Sequence, residues 1–358
     1  MRLRRLEMRD IRVLQRVTLE PAQGFNLLVG PNGSGKTSVL EAVYLLGSGR
    51  SFRTRPVREV IARGQAELYV FGEVRLEDGR LETLGIEKGS LESRIRVSGE
   101  SVRAASTLAR TLPLVLLTPD TQRLLTDGAD LRRRVVDWAL FHVEPAYHEL
   151  LQHYRRAVRQ RNQALREGAS PSRLAPWTRE VAEFGSRLHD HRARYLGNVL
   201  QDVGETVESV LGARVEITYE PGWTAERLLA DALAASLTED RARGFTGVGP
   251  HRADLVFTVG GRPAQHVLSR GESKLFVASV MLGQVRYLAG RCGKLPIALV
   301  DDLASELDTA SRTRFLEAVR ATGAQAFLTA LTEDAVVLPS GTENALFHVE
   351  RGGVTKMV

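Results

Sequence analysis

Apolar and polar positions alternate in part over residues 3–20, where Leu3, Leu6, Ile11, Val13, Val17 and Leu19 recur among arginines and acids. A period near two puts successive side chains on opposite faces of a strand, so this stretch predicts a β-hairpin. Phe25-Asn26-Leu27-Leu28-Val29 is apolar nearly throughout and reads as a buried strand. From Ser38 to Leu46 the pattern becomes helical. The glycines and proline of Gly47–Pro56 preclude regular structure there, and its arginines are candidates to face phosphate. Alternation resumes at Leu68–Leu76, and turn signals at Asp78-Gly79 and Lys88-Gly89 predict a lobe of short antiparallel strands up to residue 100. Leu112–Leu117 is a further buried strand, after which Thr118-Pro119-Asp120 opens a helix with Gln122 just inside it.

From about 120 to 240 the pattern is mainly helical. Tyr147, Leu150, Leu151, Tyr154, Val158 and Leu165 recur at helical spacing, and Gly168-Ala169-Ser170-Pro171 ends that helix. A second helix is predicted from about Trp177 to Leu211, a strand over 214–219 and a helix over 224–243. An apolar helix follows at 274–289, then apolar strands at Ile297–Val300 and Ala326–Thr329. No internal repeat interrupts this order, and no heptad series is long enough for an extended coiled coil.

The hydrophobic strand ending at Val29 runs into Gly30-Pro31-Asn32-Gly33-Ser34-Gly35-Lys36-Thr37, followed by Ser38 at the helix start. This is a phosphate-binding loop in its proper strand–loop–helix setting. Glycines let consecutive backbone N–H groups converge on one anion, and the helix N-terminus adds partial positive charge. Lys36 has the reach for β- and γ-phosphates, and the Thr37 hydroxyl is a Mg²⁺ ligand. The loop alone specifies ATP or GTP.

The strand Ile297–Val300 ends on two carboxylates, Asp301 and Asp302. Open α/β sheets place ligands at the carboxyl ends of their strands. Asp301 therefore suits binding Mg²⁺ directly or through a water, and Asp302 suits polarising the attacking water as a catalytic group alongside Lys36. Ser269 and Gly271, at the start of the apolar helix, offer a hydroxyl and an unobstructed N–H to an anion; alone, such a pair is commonly an N-cap.

Composition narrows the setting. The 358 residues carry a net charge of +6, and only five of the 49 basic residues are lysines. Basicity permits phosphate contacts with nucleic acid, and arginine-rich coding composition explains it equally. Five arginines (155, 156, 159, 161 and 166) and no acid lie within 151–166. That stripe is either a solvated helix face or a DNA-facing one. No apolar run approaches a membrane span, the N-terminus lacks a secretion-type apolar segment, and the single cysteine, Cys292, has no internal partner. These features predict a cytoplasmic protein without a membrane role.

The order of phosphate loop, long middle, Ser-x-Gly helix start, acid-ended strand and Ser305-Glu306-Leu307-Asp308 resembles the ATP-binding-cassette superfamily. The 233 residues from Lys36 to Ser269 exceed the spacing of transporter subunits and fall short of the long coiled-coil chromosome proteins. Leu3-Arg4-Arg5-Leu6, Arg9-Asp10-Ile11-Arg12, Gly49–Thr54, Thr118-Pro119-Asp120, Arg132-Arg133-Arg134, Tyr154 and Arg159–Gln163 resemble the RecF family. Gly247–Leu255 and Val300–Asp308 do so as well, and Gly249-Pro250-His251-Arg252 and Asp301-Asp302 are the most specific stretches. The resemblance implies an α/β ATP-binding-cassette head, with a mixed sheet, helices and an antiparallel β lobe, over 1–118 and 245–358. It implies an inserted helical arm at 119–244. It further implies ATP and Mg²⁺, an ATP-dependent head-to-tail homodimer in which Ser269 and Gly271 act in trans, and weak DNA-stimulated ATP hydrolysis. Binding at duplex or gapped DNA, with RecR and RecO as partners in loading RecA, is also implied. Gln122 is the candidate for the metal-contacting glutamine of the nucleotide site. Glu272 and Ser273 stand where the family signature has two glutamines, and no histidine follows Ala326–Thr329, where a threonine stands instead. A transporter energising subunit leaves the long arm unexplained. A phosphate-loop kinase leaves Ser269–Lys274 and Ser305–Asp308 unexplained.

Overall fold

A hairpin begins the chain, formed by β1 (Arg2–Ile11) and β2 (Leu14–Leu19) in this computed structural model, which describes residues 1–90, 92–224, 226–302 and 307–357. In chain order there follow β3 (Phe25–Val29), α1 (Lys36–Ser48), β4 (Glu67–Arg75), β5 (Leu81–Gly89), β6 (Ser93–Val97), β7 (Glu100–Val102), α2 (Ala105–Thr111) and β8 (Leu114–Leu117). The middle holds α3 (Arg123–Thr126), α4 (Ala129–Val143), α5 (Tyr147–Arg166), α6 (Pro171–Leu211), β9 (Glu216–Glu220), α7 (Leu229–Ala235), α8 (Leu237–Arg243), β10 (Asp254–Val259), β11 (Arg262–Pro263) and α9 (Ala264–Val267). The chain closes with α10 (Arg270–Cys292), β12 (Ile297–Val300), α11 (Thr309–Thr322), β13 (Ala326–Ala330), β14 (Ala345–Glu350) and β15 (Gly353–Met357).

These elements form two units: Met1–Thr121, Ser209–Gly212 and Arg270–Val358 in one, Gln122–Glu208 and Ala213–Ser269 in the other. The first unit is three-layered. A six-stranded sheet runs β15-β14-β3-β13-β12-β8, parallel except for the antiparallel edge strand β15. One of its faces, with Leu28, Phe327 and Phe347, packs on α1 and on the antiparallel sheet β2-β1-β4-β5-β6-β7. The other face, with Leu27, Val29 and Leu328, packs on Leu275, Leu282, Phe315 and Leu316 of α10 and α11. Neighbouring residues of β3 thus serve opposite cores, which is why the run is apolar without alternation. In the antiparallel sheet the pairs Leu6↔Leu19 and Met8↔Val17 keep one face apolar, as the hairpin pattern requires. Helix α1 stops at Ser48 because Gly49 adopts φ 71° and turns its N–H back to the Leu45 carbonyl.

In the second unit β10 pairs antiparallel with β9, from Asp254↔Glu220 to Thr258↔Glu216. That pairing holds 254–259 in this unit, so the first unit resumes at Arg270 and not near residue 245. The helix expected at 224–243 is two, broken at Ser236. Helix α6 starts earlier than Trp177, at Pro171, whose fixed φ suits a first helical position. The arginine stripe of α5 is divided. Arg161 is fully buried and donates to Asp240 Oδ2 at 2.7 Å, Thr246 Oγ1 at 2.8 Å and Thr178 Oγ1 at 3.1 Å. Arg155, Arg156, Arg159 and Arg166 are exposed. Among the described residues no helix is long and apolar enough to cross a membrane.

Candidate nucleotide site

The loop from Gly30 to Thr37 joins the carboxyl end of β3 to α1, and its curl depends on glycine at two points. Gly30 has φ 154°, and a Cβ there would lie 2.1 Å from the Val349 carbonyl oxygen. Gly35, the N-cap of α1, has φ 118°. Both conformations are costly for residues with a side chain. The β14–β15 turn braces the loop from outside, Gly352 N–H donating to the Ser34 carbonyl at 3.2 Å. Pro31, Asn32 and Gly33 are exposed at the loop's crest, whereas Ser34, Lys36 and Ser38 are buried.

Two observations show that the loop fits a phosphate. Among the described residues the buried Ser34 Oγ has no hydrogen-bond partner, a costly arrangement that an anionic oxygen relieves. The buried Lys36 ammonium curls over its own loop, donating to the Gly30 carbonyl at 2.6 Å and the Pro31 carbonyl at 3.0 Å. Burial lowers the Lys36 pKa, and the charges of Asp302 and Asp301 oppose that shift.

The two carboxylates reach the same place from β12. Strand order β3-β13-β12 sets the loop and the acids at the carboxyl ends of strands separated only by β13. Thr37 Oγ1 donates to Asp301 Oδ1 at 3.0 Å, joining elements 264 residues apart. Thr329 on β13 binds both acids together. Its hydroxyl accepts the Asp302 N–H at 2.8 Å, and its single proton faces Asp301 Oδ1 at 2.9 Å and Asp302 Oδ1 at 3.0 Å. Asp302 sits at φ 52°, a left-handed conformation unfavourable for a side-chain-bearing residue, and the Thr329 hydroxyl accepting its N–H helps hold it there. Burial raises the Asp301 pKa, with Asp302 adding to the rise and the Thr329, Thr37 and Arg53 groups opposing it. Thr37 and Asp301 form a pair of hard oxygen donors, the kind Mg²⁺ takes alongside substrate phosphates.

A further group flanks the site. Glu41, one turn beyond Thr37 on α1, has a fully buried side chain. It accepts from Arg12 Nε and Nη2 at 3.0 Å each and from Ser51 Oγ, and Arg53 Nη1 lies 3.8 Å away. The arginines after α1 stand in the sequence as candidates to face phosphate or as a solvated loop, whereas Glu41 carries no sequence signal of its partners, which come from other elements. Nor does Thr329 stand out in the sequence as the bridge, since sheet order is what sets it between the acids.

The structure brings Lys36, Thr37, Asp301, Asp302 and the whole loop together. Ser269 is exposed and directly precedes α10, and Gly271 is half-exposed in its first turn. Gln122 ends a short 3-10 helix, Pro119–Gln122, half-buried at the start of the second unit. Ser305 and Glu306 lie outside the described residues. Leu307 is buried, and Asp308 caps α11, accepting from Ser311 N–H at 3.0 Å.

Residues 2–352 match the RecF/RecN/SMC N-terminal domain family. The chain is 38% identical over 358 residues to the DNA replication and repair protein RecF of Thioalkalivibrio sulfidiphilus, covering 98% of each. It is 41% identical over 368 residues to the protein of that name from Stutzerimonas stutzeri, covering 100% of this chain and 98% of the relative. Among solved structures, the recombination mediator protein RecF-ATPrS in the RecFOR pathway superposes with a TM-score of 0.88 at 25% identity, covering 100% of this chain and 98% of that one. The Smc head bound to the C-winged helix domain of ScpA, 13% identical with a TM-score of 0.63 over 100% and 97% of the two chains, shares the fold.

Proposed function

The chain belongs to the RecF family, with the head fold of the ATP-binding-cassette ATPases, and on that premise we propose that it is an ATP-dependent, DNA-binding recombination mediator. In this reading it binds duplex or gapped DNA, dimerises on ATP, and hydrolyses ATP weakly under stimulation by DNA. With RecR and RecO it helps load RecA in recombinational repair, replication restart and the SOS response, in the cytoplasm. The observation that carries the reading is the convergence of Lys36, Thr37, Asp301 and Asp302 on one point, tied by Thr329.

That geometry supports the roles proposed for the loop and the two acids, and the family resemblance supports those proposed for Ser269, Gly271 and Gln122. The N–H groups from Gly30 to Ser38 and the Lys36 ammonium hold the phosphates, and the Ser34 hydroxyl gains the acceptor it lacks. Thr37 and Asp301 hold Mg²⁺, which when bound supplies charge neutralisation at the phosphates. Asp302 orients the attacking water and accepts its proton. Thr329 keeps Asp302 aimed. Ser269 and Gly271 belong to a surface that closes on the nucleotide of a second copy, and Gln122 is offered to the metal.

The test is ATP hydrolysis against protein concentration, with and without duplex DNA. Specific activity should rise with concentration and rise further with DNA, and Lys36→Met should lose ATP-driven dimerisation. Activity per chain that is flat in concentration and indifferent to DNA would favour a self-sufficient NTPase or kinase site.

A further inference from the structure

We propose that the segment Arg50–Arg63 is a contact surface for the phosphate backbone of duplex DNA, braced on the phosphate-loop helix. This rests on the DNA-binding reading above and names where that binding occurs. Arg50, Arg53, Arg55, Arg58 and Arg63 are all exposed. Among the described residues Arg50, Arg55, Arg58 and Arg63 make no ion pair, and Arg53 lies 3.8 Å from Glu41. The segment's one acid, Glu59, accepts from the Thr54 hydroxyl. The acids packed against it are themselves paired: Glu41 of α1 is held by Arg12 at 3.0 Å, and Asp10, whose carbonyl accepts Ala62 N–H at 2.9 Å, has Arg9 3.6 Å from its carboxylate.

The segment is held firmly. Ser51 Oγ donates to Glu41 and accepts Arg53 N–H at 2.9 Å and Thr54 N–H at 3.1 Å. Phe52 packs edge-on against Tyr44 of α1, ring centroids 5.4 Å apart. Lys88 of β5 donates to the Gly49 carbonyl at 2.5 Å. Val60 accepts Arg12 N–H at 2.8 Å, and Ile61 bridges to Ile11. A fixed backbone offering guanidinium groups without counter-charges suits bidentate capture of phosphates. No large apolar side chain between 50 and 63 is exposed, so the apolar centre of a protein–protein interface is missing, and phosphate contacts need none. The stripe on α5 is weaker, because Arg161 is in the core and Arg155 lies 3.6 Å from Asp137. Since Glu41 sits one turn beyond Thr37, DNA seated here bears on the helix that holds the phosphate loop.

The experiment measures duplex-DNA affinity of the full chain by fluorescence anisotropy across a salt series. It compares wild type with Arg55→Ala/Arg58→Ala/Arg63→Ala and with Arg156→Ala/Arg159→Ala/Arg166→Ala. All six side chains are exposed, so the variants should keep the wild-type melting curve and bind a fluorescent ATP analogue as wild type does. The first triple variant should weaken DNA binding at least tenfold and lower the log–log salt slope by about 1 for each lost phosphate contact, while the second leaves the slope in place. An unchanged slope in the first variant, or its loss in the second instead, overturns this surface. A wild-type chain that binds no duplex DNA at low salt overturns the DNA-binding reading itself.

Discussion

His251 shows what a single residue of the most specific motif does. Its Nε2 lies 3.0 Å from the Thr246 carbonyl, which can only accept, so Nε2 carries the proton and Nδ1 accepts from Tyr154 OH at 2.7 Å. Burial pushes the imidazole pKa down to about 4, the Thr246 carbonyl opposing and the Arg252 and Arg133 charges assisting. The unfolded chain, with histidine near its ordinary 6.5, binds more protons between pH 4 and 6.5. Stability from this group is therefore present above pH 6.5 and falls as pH drops toward 4, by roughly 3 kcal/mol. All three tryptophans (Trp138, Trp177 and Trp223) lie in the second unit and report on its unfolding. Urea melts followed by their fluorescence at pH 7 and pH 4.5 should show a larger stability difference for wild type than for His251→Gln. Equal differences would mean the imidazole is protonated in the folded state. Nearby, Asp240→Ala strands the buried Arg161 guanidinium and should cost the same unit about 3–5 kcal/mol.

At the scale of elements, β13 is the strand on which the first unit turns. Phe327 is fully buried between β3 and β12 neighbours in the core against α1, so Phe327→Ala should lower stability by about 3–5 kcal/mol, read as a shift of the denaturant midpoint. This strand was readable in the sequence as a run of apolar residues, as were β3, β12 and the phosphate-loop helix, because burial on both faces leaves a plain compositional mark. What Thr329 does was not readable. Its role depends on β13 lying between β3 and β12, and strand order is set by crossover packing and not by local pattern. Glu41 escaped for a related reason: a charged residue inside an apolar helix is visible, but the partners that neutralise it, Arg12 and Ser51, come from two other elements. Arg161 illustrates the converse. Five arginines on one helix look alike in sequence, and only the arrival of Asp240 and Thr246 from elsewhere selects which one is buried.

At the scale of the whole molecule, Lys36 and Asp302 belong to one centre, whereas at the head of α10 Ser269 is exposed and Gly271 half-exposed. If the nucleotide is enclosed head to tail, each site takes its phosphate loop from one copy and its Ser269 from the other, and a two-fold dimer holds two such sites. Lys36→Met then destroys the loop half and Ser269→Arg the closing half, and each variant alone should be inactive in ATP hydrolysis. Mixed one to one, they form heterodimers in which one site has both defects and the other has neither. Each heterodimer keeps one sound site, whose ATP can still join the two copies, so activity should return on mixing where neither variant alone has any. Mixtures that stay inactive, although both variants fold and Ser269→Arg binds ATP, would show that hydrolysis does not use Ser269 from a second copy. Full activity in Ser269→Arg alone would show that Asp302 and Lys36 work without any closing surface. Recovery on mixing depends on complementation between two defective copies, so it separates a composite site from a chain that hydrolyses ATP by itself.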